Sequence, residues 1–495
     1  MKKIVSLILG VLCIFGANAA QIANIEYVHK MIEHKWDITV PYNPALTNVK
    51  TIANMKYLLT AVDVVNEILN GEKTTDYGNG EFATLQVADT VATNTAVETL
   101  IKEETSYKFK LTTTSTNSFS FSISAAGEFI VNWGDGKTET ITKPDTTNTT
   151  YSHTYSTSKS YTIKLTGQAT AYNTSTTTAA ISFYVGSNTS AKETNVKKIA
   201  SIDGSLGAIF GTLSSDTNNQ PRFYYTFYKA TNMTGSIPSD LFAGISGAPA
   251  SNMFNRTFSS CSGLTGAIPA GLFAGISGAP ASGMFAHTFE VCSGLTGTIP
   301  NGLFAGISGA PATAMFSGIF YGCSGLTGAI PDGLFGNLTG APAGSMFAST
   351  FNGCSGLTGA IPDGLFGNLY GAPEINMFYR TFYGCSGLTG AIPDGLFGNL
   401  SGAPARYMFS GTFYGCSGLT GEIPENLFGN ISGTVQSFMF NRAFYNCTSL
   451  TGPSARINGQ YLYEIWPDAT GYPVDDMYYN ATKLSDYSNI PTVWK

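Results

Sequence analysis

Two groups of residues in this 495-residue sequence have the types and spacing of chemical sites. His29 and His34 flank Glu33, but zinc-binding helices place two histidines four residues apart rather than five. Asp135 and His153 could act as an acid and base pair. We interpret the first group as a solvated helix face and the second as turn and sheet packing. The sequence therefore predicts no catalytic residue, no metal site and no cofactor.

Seven cysteines recur with a fixed spacing of 31 residues, at Cys261, Cys292, Cys323, Cys354, Cys385, Cys416 and Cys447. Disulfides are one possibility, because Cα atoms one repeat apart would lie within bonding reach and exported proteins are oxidised. A metal site is disfavoured, because the sequence contains no paired Cys-x-x-Cys or Cys-x-x-His motif. Seven is odd, and Ala230 and Ala481 occupy the equivalent positions at the two ends. These facts favour a structural ladder of buried thiols, with some disulfides as the alternative.

The cysteines mark the most regular feature of the chain, a 31-residue repeat. Residues 377–404 read MFYRTFYGCSGLTGAIPDGLFGNLSGAP. Self-similarity at a fixed period predicts a solenoid, in which each coil buries its apolar face against its neighbours. The spacing of Phe378, Phe382 and Cys385 predicts a short helical turn, Leu388 to Ile392 a strand in a parallel ladder, and residues 393–397 a second helical turn.

The phrase FYGCSGLTGxIP is similar to the leucine-rich repeats of BspA-like bacterial surface proteins, and the similarity covers about residues 222–491. The resemblance implies a leucine-rich-repeat-like α/β solenoid of 31-residue coils with terminal caps over residues 198–495. It also implies adhesion or host-protein binding at a bacterial cell surface. A 31-residue unit is longer than the usual leucine-rich unit of about 20–29 residues, which leaves the shape of each coil open.

Residues 106–192 have a different composition, rich in threonine and serine. Phe119, Phe121 and Ile123 alternate with polar residues, which predicts strands with one buried face. The run VNWGDG at 131–136 and the later HTY at 153–155 resemble the polycystic-kidney-disease (PKD) domain. That resemblance implies a small antiparallel β-sandwich that serves as an extracellular spacer or binding module.

The first hundred residues predict export. Two lysines, an apolar run at 4–15 and a small-residue site at 17–19 are typical of a secretory signal peptide, so we expect residues 1–19 to be removed. Apolar spacing of three and four residues predicts a helical segment over 20–70, and the polar stretch 71–105 predicts a linker. No later stretch is apolar and long enough to predict a transmembrane segment.

Charge is unevenly distributed along the chain, which carries a formal net charge of −6. Residues 20–105 hold 12 acidic and 6 basic residues, whereas residues 253–438 hold only ten charged residues and no lysine. Such a chain is neither a nucleic-acid binder nor a charged disordered protein. The nearly neutral array argues against electrostatic capture of a partner and in favour of hydrogen bonds and aromatic contacts.

Positions that vary between repeats predict the contact surface, because variable positions of a solenoid face solvent. The two residues after each Met-Phe and the three after each Ala-Pro change from coil to coil, and the candidate partner contacts are Arg256, His287, Tyr379, Arg380, Arg406 and Tyr407. Plain surface drift is the alternative explanation.

We therefore expect an exported binding or adhesion protein, extracellular or at the bacterial cell surface, that presents its array to a protein or glycan ligand. A structural component of a surface layer or matrix is the second hypothesis. A non-catalytic part of a secreted hydrolase system is the third. No stretch of the sequence is left to form an enzyme core.

Overall fold

The structure is a computed structural model that describes residues 107–467, 469 and 474–495. The predicted signal peptide, helical segment and linker, with His29, Glu33 and His34, lie outside the described residues. Residues Lys108–Lys495 form one compact unit. That unit is rich in β-structure and contains few helices. Within the described residues, no helix has the length and apolar character needed to cross a membrane.

The first eight strands and one helix make up the N-terminal part of this unit. The strands are β1 Phe109–Thr113, β2 Thr116–Ile123, β3 Ala125–Asn132, β4 Thr138–Lys143, β5 Thr149–Lys159, β6 Thr162–Tyr172, β7 Ile181–Ser182 and β8 Ile199–Gly204. Helix α1 spans Thr189–Val196 and begins at Asn188, whose side chain accepts a hydrogen bond from the Ala191 amide.

The remaining elements are short and belong to the repeats and the C-terminal segment. The strands are β9 Ser308–Gly309, β10 Asn337–Gly340, β11 Asn368–Gly371, β12 Asn399–Gly402, β13 Gly421–Glu422, β14 Asn430–Ile431, β15 Leu450–Thr451, β16 Arg456–Ile457 and β17 Gln460–Tyr461. Helix α2 spans Leu462–Ile465, and 3-10 helices span Thr217–Asn219 and Thr492–Trp494.

Two antiparallel sheets form the N-terminal part, with strand orders β4-β3-β6-β1-β8 and β5-β2-β7. Phe119, Phe121 and Ile123 are buried, as their alternation predicts. Strand β8 pairs with β1, although the sequence-based division placed it with the repeats. The reason is that Leu111 and Ile202 lie opposite each other in register, so the edge of the sheet is completed by the segment that leads into the first repeat.

Each repeat places its invariant apolar residues inside, and the same residue types stack on themselves from one repeat to the next. Phenylalanines at three positions form parallel columns, represented by Phe378, Phe382 and Phe397. Ring centroids within the column that contains Phe378 are 5.4–6.0 Å apart. One hydrophobic core cluster continues from Phe109 to Trp494, through both the sheets and the repeats.

The segment predicted to be a helical turn is a ribbon of tight turns. Amides of Tyr379, Thr381 and Tyr383 donate to carbonyls three residues earlier, at 3.2–3.3 Å. Amides of the alternate residues donate instead to the next repeat, for example Phe378 N to Met408 O at 3.0 Å and Arg380 N to Ser410 O at 2.9 Å. The helical prediction is wrong because half of the amides bond between repeats, which no α-helix permits.

The ribbon has a four-residue period of burial rather than the helical 3.6. In residues 377–385, Met377 and Phe378 are buried, the next two residues face solvent, and Thr381 and Phe382 are buried again. Every fourth residue has a positive φ, such as 53° at Arg380. Because Arg380 is the third residue of a turn closed by Thr381 N and Phe378 O, this is the type II pattern, which favours glycine or asparagine there.

The parallel strands stack the repeats on a second side. Strands β9, β10, β11, β12 and β14 form one parallel sheet built from the Asn-Leu-x-Gly or equivalent segments. No strand was predicted for this stretch from the sequence. The predicted strand at 388–392 is reduced to two isolated parallel bridges, Gly359 with Leu388 and Gly390 with Leu419, and Pro393 lacks the amide needed to extend it.

Both ends of the ribbon are covered by other parts of the chain. At the first repeat, Ala180 N donates to Arg222 O at 2.7 Å and Phe183 N to Thr226 O at 3.0 Å. At the last repeat, Tyr478 N donates to Trp494 O at 2.8 Å. The amides and carbonyls that would otherwise form an open edge are therefore engaged within the chain at these points.

The seven cysteines are buried and free, and each thiol donates to the carbonyl of a phenylalanine in the preceding repeat at 2.9–3.1 Å. Burial raises the pKa of these thiols, to about 12 for Cys323. Ala230 and Ala481 are buried at the equivalent positions. The cysteine ladder thus fills space in the core, and its thiols satisfy buried backbone carbonyls.

Replacing Cys354 by alanine is expected to lower the free energy of unfolding by about 1–2 kcal/mol, since it empties an enclosed site and removes the donor to Phe320 O. Urea denaturation measures the change. The wild-type midpoint should be the same with and without a reducing agent. A midpoint that falls on reduction would contradict the free thiols and support the disulfide alternative.

Substitutions of two adjacent residues by glycine should change stability in opposite directions. Ser349 has φ 56°, so Ser349→Gly relieves the left-handed strain and should raise the free energy of unfolding by about 0.5–1 kcal/mol. Ala348 is buried and does not have a positive φ. Ala348→Gly should therefore lower the free energy of unfolding, because glycine gives the unfolded chain more conformational entropy. Equal losses in both variants, measured by urea midpoint, would contradict the assigned turn geometry.

Candidate partner-binding surface

The solvent-facing pairs of the turn ribbon line up along one side of the stacked repeats. We call this side the ribbon face and define it by residues 379–380 and 383–384 with their equivalents in the other repeats. The buried pairs on either side of each exposed pair fix the backbone. Hydrogen bonds to both neighbouring repeats prevent the ribbon from shifting. Side chains on this face therefore project from a rigid scaffold.

Four of the six predicted contact residues come together on the ribbon face and beside it. The Arg380 guanidinium carbon lies 4.9 Å from the Tyr379 ring centroid and 5.1 Å from that of Tyr383. Tyr379 meets Tyr407 edge to face at 5.9 Å, and the Arg406 guanidinium lies 5.9 Å from the Tyr407 ring. Phe438 stacks on the other side of Tyr407 at 4.6 Å. The result is an aromatic patch edged by two arginines.

The other two predicted residues, Arg256 and His287, belong to a separate polar cluster three or more repeats away. Arg256 Nη1 lies 2.7 Å from Glu290 Oε2, and the Ser259 hydroxyl donates to the same oxygen at 2.8 Å. His287 Nδ1 is 3.4 Å from Glu290 Oε1, close enough for a charge interaction but without hydrogen-bond geometry. Arg256 is thus paired with Glu290 and His287 lies beside it, while their side chains remain 28% and 27% exposed.

Glu290 is held ionised by these neighbours. Burial alone would raise the pKa of its carboxyl, but the His287 interaction, the charge of Arg256 and the Ser259 hydroxyl outweigh it, and the pKa is lowered. The Glu290 carboxylate therefore links its own repeat to the preceding repeat, which contains Arg256 and Ser259.

The variable positions chosen from sequence are also positions of special backbone geometry. Arg256, His287, Arg380 and Tyr407 have φ values of 53–57°. Gly318 and Gly411 occupy the position of Arg380 in other repeats. Variation there is therefore restricted to residues that tolerate a left-handed backbone, and the side chains that do appear are displayed at a fixed angle.

Sequence reasoning missed the largest feature of the ribbon face, a column of four tyrosines. Ring centroids are 4.2 Å apart for Tyr383 and Tyr414, 4.6 Å for Tyr414 and Tyr445, and 4.5 Å for Tyr445 and Tyr479, with interplanar angles of 5–15°. Burial, followed by a hydrogen bond with Tyr414, raises the pKa of Tyr383. The signal in the sequence is the Phe-Tyr pair at 382–383, 413–414 and 444–445, which recurs every 31 residues and belongs to the motif shared by these repeats.

A second aromatic cluster lies where the sheets meet the first repeat. Tyr228 contacts Tyr184 edge to face at 5.0 Å and Tyr225 at 4.6 Å. Lys192 lies 5.8 Å from the Tyr184 ring and Lys229 lies 5.4 Å from the Tyr228 ring. Lys229 is also paired with Glu193 at 2.6 Å. Aromatic rings with basic neighbours therefore mark both ends of the ribbon face.

Asp135 and His153 are in contact, with 2.8 Å between Asp135 Oδ2 and His153 Nε2. The other carboxylate oxygen accepts from the Lys137 amide at 3.1 Å, and the His153 ring stacks on Trp133 at 5.0 Å. Burial raises the pKa of Asp135, but the His153 hydrogen bond and the Lys137 amide lower it more. This arrangement closes a turn and packs a sheet. Among the described residues, no group of three or more His, Cys, Asp or Glu could hold a metal ion.

The comparisons with known proteins add no relative to this description. The chain matches no protein-family model, no curated protein and no solved structure.

Proposed function

We propose that this is an exported, cell-surface-associated binding protein whose repeats form a leucine-rich-repeat-like solenoid and whose PKD-like sandwich serves as its spacer. The parallel bridges and sheet between successive 31-residue repeats support the solenoid. The two antiparallel sheets and the Asp135 turn support the PKD-like assignment. The BspA-like resemblance of the repeats suggests that adhesion is the biological role.

The aromatic and arginine patch of the last four repeats is the observation that carries this proposal. Tyrosine and arginine are, with tryptophan, enriched at binding hot spots, and tyrosine, serine, glycine and asparagine are enriched in the binding loops of antibodies. The exposed or partly exposed pairs here are Tyr379 and Arg380, Tyr383 and Gly384, Tyr414 and Gly415, Asn441 and Arg442, and Tyr445 and Asn446, whereas Ser410 and Gly411 at the equivalent positions are buried. Their composition fits a protein-contacting surface.

The stacking geometry favours a protein ligand over a glycan. Sugar rings pack on exposed aromatic faces. In the column from Tyr383 to Tyr479, the faces between neighbouring rings are covered by the stacking itself. What remains for a partner is ring edges, hydroxyl groups and guanidinium groups. Because stacking already restricts these side chains, binding would cost little further rotamer entropy.

A structural surface-layer component remains the second hypothesis. The hydrogen bonds at both ends of the ribbon count against head-to-tail growth, since Arg222 O and Tyr478 N already have partners within the chain. Any self-association would have to use the sides of the array instead.

The test is a double variant, Arg380→Gly with Tyr407→Gly, screened with wild type on immobilised extracellular proteins and glycans by surface plasmon resonance. Glycine is native at both positions in other repeats, at Gly411 and Gly283, so the fold should be retained. Loss of two hot-spot side chains should weaken binding by about tenfold or more. The matched control is Asp363→Ala with Asp394→Ala, two exposed residues outside the ribbon face, which should leave binding unchanged.

Equal binding by the wild type and the double variant to every ligand captured would contradict the proposed surface. If no ligand is captured and the wild type forms ordered assemblies in solution, the structural hypothesis replaces it. Turnover of a glycan or peptide by the purified protein would contradict the proposal and would indicate an enzyme instead.

A further inference from the structure

The tyrosine column has a second consequence that is independent of binding. Tyr383, Tyr414, Tyr445 and Tyr479 belong to four successive repeats and lie 31, 31 and 34 residues apart in sequence. Their rings are nearly parallel and are in contact from repeat to repeat, with centroid separations of 4.2–4.6 Å. The column is thus a continuous path of phenols along the outside of the array.

An oxidant can reach this column. Tyr383, Tyr414 and Tyr445 are partly exposed, and Tyr479 at the end of the column is 46% exposed. Tyr155 also stacks on Tyr161, at 3.6 Å, but this pair is buried in the sheets. Tyr461 and Tyr463 stack at 5.0 Å and are partly exposed, but they form a single pair with a wider separation than the column. Close stacking below 5 Å, solvent access and continuity over several repeats therefore coincide in the column.

Parallel stacking is also the geometry in which two phenoxyl radicals join. The unpaired electron of a phenoxyl radical occupies a π orbital with density on the carbons ortho to the oxygen, perpendicular to the ring. In a stack, these orbitals of neighbouring rings point at each other. The fold thus holds pairs of ortho carbons as near-attack conformers, and such placement can replace a high concentration of free reactant.

We propose that the column is a site of oxidative tyrosine cross-linking, in which a haem peroxidase with hydrogen peroxide joins neighbouring repeats through dityrosine. Each of two stacked tyrosines loses one electron to the oxidant and its hydroxyl proton to water. A carbon–carbon bond forms between their ortho carbons, and each of these carbons then gives up its hydrogen while the ring oxygen regains a proton. Two tyrosines and one hydrogen peroxide give one dityrosine and two waters.

The cross-links would tie the last repeats together covalently. A link between Tyr383 and Tyr414 and another between Tyr445 and Tyr479 engage all four tyrosines, so two links per molecule is the maximum for three adjacent pairs. Each link closes a loop of about one repeat in the unfolded chain, which lowers the entropy gained on unfolding. Separation of these repeats would then require breaking a covalent bond.

The chain provides an internal control in Tyr321. It occupies the same position in its repeat as Tyr383 and is 38% exposed, but the equivalent residues in the adjacent repeats are Glu290 and Asn352. Tyr321 can therefore be oxidised but has no stacked ring with which to couple. Its comparison with the column separates the effect of stacking from the effect of exposure.

The experiment oxidises the purified full chain at low concentration with peroxidase and hydrogen peroxide. Dityrosine fluorescence gives the yield, and peptide mass spectrometry identifies the linked residues. We expect one or two links per molecule at saturation, within the column, because a first link between Tyr414 and Tyr445 leaves the two end tyrosines without a neighbour. The level should be about tenfold or more above any link to Tyr321. Tyr414→Phe keeps the stack but leaves only Tyr445 and Tyr479 able to couple, so one link should remain. Tyr321→Phe should change nothing.

Tyr479→Phe tests the same idea at the exposed end and should also leave one link, since the remaining pairs share Tyr414. The double variant Tyr414→Phe with Tyr445→Phe should form none within the column. Dityrosine that is mainly intermolecular, that includes Tyr321 as often as the column, or that keeps its wild-type yield in the double variant would overturn the proposal. Unchanged urea midpoints before oxidation establish that the variants remain folded.

Discussion

The repeat part of this protein depends on one constraint, the alternation of backbone hydrogen bonds along the turn ribbon. Every second amide closes a tight turn within its own repeat, and every other amide donates to the next repeat. Both sets must be satisfied because the ribbon is largely buried. An inserted residue would exchange the two sets of amides for the rest of the ribbon, which accounts for the six unbroken 31-residue spacings between Cys261 and Cys447.

The alternation also determines which side chains the repeat can use. Buried pairs such as Thr381 and Phe382 supply packing, and the Thr381 hydroxyl and Cys385 thiol donate to carbonyls of the preceding repeat at 3.0 Å. Exposed pairs must include one residue with a positive φ, which favours glycine and asparagine. The abundance of glycine in the array is therefore in part a requirement of the backbone and carries no direct information about a ligand.

Much of the architecture was predictable from sequence, and the failures have physical causes. The alternation of Phe119, Phe121 and Ile123 predicted buried strand faces, and the 31-residue period predicted stacked repeats. The helical turn at 377–385 was wrong because a four-residue period of burial is close to 3.6, and residue spacing alone does not show where amides donate. The tyrosine column was missed because contact between repeats depends on the stacking register, in which Tyr383 lies directly against Tyr414.

The patch and the column arise from the same restriction on side-chain freedom. Rings that stack on their equivalents in the next repeat, as Tyr414 does on both sides, lose their alternative rotamers before any ligand arrives. This loss of side-chain entropy occurs on folding, where the packing of the phenylalanine columns in the core offsets it. A surface prepared in this way needs little reorganisation to contact a partner, and its phenols stay close enough to react with one another. Rigidity imposed by the buried ribbon is thus the property on which both proposed roles depend.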